Sequence, residues 1–163
     1  MRSVSLALML VTFGTVCDAA QKASWHSYSS EGRATLAYGI DGTDDVGFHV
    51  SCNRDSGSIE LIPSLREVGL QAGEKAKVGL STKDDRIEFE GEVFLNEATG
   101  ENNILVKAGS TRALRGLFLK AGVLTISLPK DRHTLPIGPR AIASFASFKR
   151  DCSPFDPPAG KQK

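Results

Sequence analysis

Three histidines, His26, His49 and His133, are the side chains of this sequence best suited to moving protons near neutral pH. None has a second ligand-type residue at helical or CxxC spacing, so the pattern signals no zinc site. His49 lies within Val46–Gly47–Phe48–His49–Val50–Ser51–Cys52, on the face opposite Cys52, and reads as a solvent-facing strand residue. Asp41, Asp44 and Asp45 crowd one short segment, but a calcium loop needs a fuller alternation of oxygen ligands. That segment reads as a well-solvated turn, and Asp84–Asp85 reads the same way. Glu88, Glu90 and Glu92 could supply paired carboxylates for acid–base work. Facing lysines across a hairpin, they more simply make a wet face. Ser27, Ser29, Ser30 and Ser51 lack a Gly-x-Ser-x-Gly setting, and Gly69 to Gly73 lacks the Lys and Ser/Thr of a phosphate loop. These residues nominate no catalytic side chain, no cofactor and no metal. A small hydrolase using His49 or His133 with a carboxylate stays open, because such constellations assemble from distant positions.

The cysteines speak to compartment. Residues 1–20 read as a secretory signal peptide, with Arg2, then the apolar run from Leu6 to Val16, then Cys17–Asp18–Ala19–Ala20 for cleavage. The run is shorter than the roughly 20 apolar residues of a membrane span and is interrupted by Thr12 and Gly14. A lipoprotein would lipidate Cys17, but Val16 precedes it where a small residue is usual. Cleavage leaves Cys52 and Cys152, an even pair in an oxidising compartment, and a disulfide between them is the reading preferred over two buried thiols. The chain is then periplasmic or secreted, and not an integral membrane protein once the signal is cleaved.

The elements that must hold these residues are mostly strands. Val46, Phe48, Val50 and Cys52 alternate with Gly47, His49 and Ser51, the period of a strand with one buried face. Strands are also expected at Trp25–Ser29, Arg33–Tyr38, Ser58–Ile62, Ile104–Ala108, Val123–Leu128 and Thr134–Ile137. A hairpin joins the stretch Lys75–Leu80 to Ile87–Glu92. With Asp84–Asp85 as its turn, Leu80 would face Phe89 and Lys77 would face Glu92; Asp-Asp suits a two-residue turn poorly, and a longer loop is the alternative. Asn96 to Asn103 reads as a polar loop. A mid-chain helix is expected around Leu114, Leu117, Phe118 and Ala121, capped by Ser110 or Thr111 and ended by Gly122. A C-terminal helix opens at Pro139 and carries Ile142, Phe145, Phe148 and Cys152 on one stripe. Ser153 to Lys163 reads as a disordered tail. The expected architecture is α+β, mainly β. It is an antiparallel β-sandwich or partial barrel over residues 21–152, with one mid-chain and one C-terminal helix, the alternative being a single curved sheet with both helices on one side.

The order Trp25, Phe48-x-Val50-x-Cys52, Leu114–Leu117–Phe118, Gly122-x-Leu124-x-Ile126 and Ile142–Phe145–Cys152 resembles small exported β-rich bacterial envelope proteins. The layout is similar to that of the invasion-associated locus B family and of a type VI secretion accessory protein family. The resemblance implies a β-sandwich closed by a final helix, and it carries over no site residue. A second comparison is with periplasmic C-type lysozyme inhibitors. Their Ser-Gly-x-x-Tyr loop has no counterpart here, since Ala108–Gly109–Ser110 is not followed by a tyrosine.

Net charge is +1, with 24% charged residues spread along the chain, which gives nothing to recruit nucleic acid. The expectation is a non-enzymatic exported protein that binds an envelope or secreted protein, or another cell-envelope component. An edge strand or the Asn96–Asn103 loop would be its contact surface. Inhibition of a lysozyme-type enzyme and the small hydrolase are the alternatives.

Overall fold

The computed structural model describes residues 22–43, 45–63, 69–97, 99–109 and 111–152. Residues 1–20, read above as a signal peptide and including Cys17, lie outside the described residues, as do Asp44, Ser110 and the tail from Ser153. Strands β1 (Ser24–Ser30), β2 (Arg33–Gly39), β3 (Val46–Asn53) and β4 (Ile59–Ile62) form an antiparallel meander. Glu31 and Gly32, both at positive φ (45° and 77°), make the two-residue turn whose twist suits a tight hairpin between β1 and β2. Between β3 and β4, the Asn53 side-chain oxygen accepts the N–H groups of Asp55 (2.9 Å) and Ser56 (3.0 Å), fixing the turn locally.

A second meander follows, of β5 (Lys75–Ser81), β6 (Arg86–Asn96) and β7 (Glu101–Ala108). It is inserted into the sheet, for β7 pairs back onto β4 while β5 pairs onto β8 (Gly122–Ser127), which pairs with β9 (Arg132–Ile137). The result is one nine-stranded antiparallel sheet, ordered β1-β2-β3-β4-β7-β6-β5-β8-β9 and curled into a half-barrel. The mainly β, α+β expectation holds in its partial-barrel form.

The curl turns on β6. This strand pairs with β5 over Arg86–Glu92 and with β7 over Gly91–Asn96, so the two ladders overlap only at Gly91 and Glu92. A Cβ at Gly91 would run into the methyls of Ile104 and Val106, so glycine lets β6 lie close to β7 where the sheet bends.

Helix α2 (Pro139–Cys152) closes the seam between the two ends of the sheet, packing along β1, β2 and β9. Its buried face is Ala141, Phe145, Phe148 and Cys152, with Ile142 half-buried beside them, close to the stripe read from the sequence. Trp25 is buried at the same seam, and its indole N–H donates to the Pro136 carbonyl of β9 across 2.6 Å. Its ring packs edge-on against Phe118 (5.1 Å between centroids) and Phe48 (5.6 Å), while Phe118 stacks on Phe145 at 4.7 Å. The core therefore sits between the concave face of the sheet and α2.

Three local expectations need correction. The β5–β6 ladder pairs Leu80 with Ile87, Val78 with Phe89, Lys77 with Glu90 and Lys75 with Glu92, two residues away from the predicted register. The cause is a wider loop. Thr82 N–H donates to the Asp85 carbonyl (2.8 Å), and the Thr82 hydroxyl accepts from the N–H groups of Asp84 and Asp85. A slip of two keeps every side chain on its predicted face. The mid-chain helix is only one turn, α1 (Arg112–Arg115), followed by a 3-10 turn at Gly116–Phe118. Leu114, Leu117 and Phe118 are buried as expected, but Ala121 is exposed and Gly122 opens β8 instead of ending a helix. Gly116 lies against the exposed Asp85 carboxylate, where a Cβ would oblige that side chain to shift, so this segment is held close to the hairpin loop. The polar loop contracts to a turn closed by the Gly100 N–H on the Asn96 carbonyl (2.8 Å), and Glu101–Asn103 join β7.

Candidate functional site

Strand alternation sends a second set of side chains to the convex face of the half-barrel. In register across it lie His26, Ala37, His49 and Ile62, and beside them Thr35, Ser51, Glu60 and Lys107. Where β6 leaves β7 for β5, this face opens into a depression of about 200 Å³. Half-buried Phe94 and Leu105 give it apolar lining, and Lys75, Glu90, Glu92 and Lys107 stand around them. Lys75 and Glu92 are paired across the strands at 3.5 Å, both well exposed. Such a hollow accepts an apolar side chain, while charges of both signs on its rim meet a polar backbone or a charged neighbour.

The histidines stand in three separate places, and none lines this depression. His49 is half-buried on β3. Burial pushes its pKa below the ordinary value, and the Arg33 guanidinium adds to that effect while Glu60 opposes it. His133 meets the Asp131 carboxylate through Nε2 on the exposed turn that leads into β9. That hydrogen bond, then one from the Arg132 N–H, holds the Asp131 carboxyl below the usual range. His26 lies within 3.2 Å of the Ser24 carbonyl and stacks over the exposed Tyr28 ring. Ser29 donates to the Asp151 carboxylate of α2 at 2.8 Å, and Ser51 is buried on the convex face. Among the described residues, no group of three or more His, Cys, Asp or Glu side chains converges as a metal site.

Cys52 and Cys152 come together at disulfide distance with Cα atoms 6.1 Å apart, tying β3 to the last turn of α2. The acidic ladder keeps its wet-face reading, with Glu88 3.1 Å from Lys77. Phe94, Leu105 and Lys107 are the residues that reading the sequence overlooks. Their signal is the continuation of alternation past Glu92, where Val93 turns inward and Phe94 outward, and the single outward Leu105 between buried Ile104 and Val106.

Comparison of the chain with protein families, curated proteins and solved structures finds no match. The site is read from its own chemistry.

Proposed function

We propose that this protein works outside the cytoplasm as a disulfide-tied binding protein, engaging a secreted or envelope protein, or another envelope component, through its convex face. The depression at Phe94 and Leu105 carries this reading, because apolar side chains there line a hollow ringed by charge instead of joining the core. Support for the compartment comes from the Cys52–Cys152 pair, buried at both ends, together with the leader-like N-terminal sequence.

The test is site-specific photo-cross-linking in the native host, with the reactive residue placed at Leu105 or, as a control, at exposed Thr134 on β9. A discrete adduct from position 105 alone is the expected result. No adduct, or equal labelling from both positions, overturns the reading. The intact mass of the same protein checks the compartment. It should begin after Ala19 or Ala20 and show two thiols only after reduction.

A further inference from the structure

The divergence of β6 from β7 has a second consequence. From Arg86 to Glu90, β6 is paired with β5 on one side, while on the other no strand among the described residues pairs with it. Bonds from the Thr82 N–H to the Asp85 carbonyl and from the Val93 N–H to the Glu74 carbonyl show that odd-numbered residues of β6 direct their backbone groups toward β5. By antiparallel alternation, the N–H and C=O groups of Arg86, Glu88 and Glu90 point away from it, into the open edge. The side chains there agree with a missing neighbour, because Ile87 and Phe89 face the core side yet remain only half-buried. The two ends of the sheet differ from this edge. Next to β1, Ser144 of α2 reaches the Trp25 carbonyl, and on β9 Pro136 lacks an N–H and its carbonyl takes the Trp25 indole.

We propose that the Arg86–Glu90 edge of β6 receives an extended segment of the partner as an added strand, one that alternates basic and apolar residues. This rests on the binding reading above and names its mode of recognition. Main-chain hydrogen bonds to Arg86, Glu88 and Glu90 supply attachment, and side-chain pairing supplies selection. On the convex face, the incoming strand sets two residues opposite Glu88 and Glu90, where lysine or arginine is favoured. On the other face its apolar residues cover Ile87 and Phe89. The 200 Å³ depression lies at the Glu90 end of the same edge and takes a side chain beyond the paired stretch.

The probe is a short blocked peptide alternating lysine and valine. It is titrated into the isotope-labelled full protein and followed by amide shifts and hydrogen exchange. The expected result is slowed exchange at Arg86, Glu88 and Glu90. A Glu/Val peptide should not bind, nor should a Lys/Val peptide N-methylated at alternate residues, which keeps its charge but cannot pair as a strand. Each cross-strand charge pair accounts for about 1.4- to fivefold in affinity, so Glu88→Lys with Glu90→Lys, which removes two pairs, weakens binding by about 2- to 25-fold. Equal binding of the N-methylated peptide, or no change at the three amides, overturns strand addition. Self-association through this edge that blocks the peptide overturns it in favour of a second copy of the chain. If the edge is silent while the Leu105 adduct forms, strand addition fails and the binding reading stands. If both are silent, both fail.

Discussion

Replacing Cys52 and Cys152 together by alanine tests how the half-barrel is held shut. The cross-link spans 100 residues, and a loop of that length removes denatured-state entropy worth about 4.7 kcal/mol on the chain-entropy account. Both cysteines are buried, so alanine avoids leaving an unpaired hydroxyl in the core but also removes two sulfurs from packing. Both effects have the same sign, and the double variant should lose at least ~3 kcal/mol. Against a typical total of about 5–15 kcal/mol, that is a large share. The assay is urea unfolding followed through Trp25, the single tryptophan, which is buried where α2 meets β1 and β9. A lower midpoint with the slope kept, or raised by a less compact denatured state, fits the reasoning. A difference below about 1 kcal/mol between the variant and the oxidised parent, with both fully folded, would refute it.

Gly91→Ala should destabilise by about 1–3 kcal/mol, because the new methyl meets the Cγ2 methyls of Ile104 and Val106, and adding Ile104→Leu, which takes that methyl off the β-carbon, should recover part of the loss in thermal melts. Trp25→Phe removes the indole N–H from the Pro136 carbonyl and should cost about 1–3 kcal/mol, read by circular dichroism since the fluorophore is gone. His49 gives a pH dependence whose sign follows from its lowered pKa. The unfolded chain takes up this proton near pH 6.5, whereas the folded protein does so only at lower pH, so unfolding gains as pH falls. The stabilisation is complete above pH 6.5 and is lost as pH falls through the folded value. His49→Gln should therefore flatten the drop in melting temperature between pH 7.5 and 5, and an equally steep drop in the variant counts against this assignment.

Residues with strict alternation or a helical stripe are legible before any coordinates, because burial of one face dominates their local energetics. That is why β3 and α2 appear in the sequence nearly residue for residue, and why Cys52 and Cys152 can be placed on facing apolar surfaces. The β5–β6 register is not legible in this way. It depends on Thr82 bonding to the backbone of its own loop, a choice that an even slip hides from the polarity pattern. Leu114, Leu117 and Phe118 signal a longer helix than forms, since their spacing records which residues go inside but not that Gly116 lies against Asp85 or that Gly122 opens β8. The depression is harder still. Phe94 and Leu105 are diagonal neighbours in the β6–β7 hairpin, but the hollow beside them opens only because β6 leaves β7 at Gly91 to pair with β5.

The seam filled by α2 sets an order of events during synthesis. The chain is made from its N-terminus, so Trp25 and Cys52 emerge early while the helix that covers them emerges last. At about 5–20 residues per second, Cys52 waits roughly 5–20 s for its partner. Over that interval Trp25 and Cys52 have no cover from α2, and the Cys52–Cys152 tie cannot form. The element that closes the core is thus also the last to be made, so closure and cross-linking of the half-barrel both wait for the end of the chain.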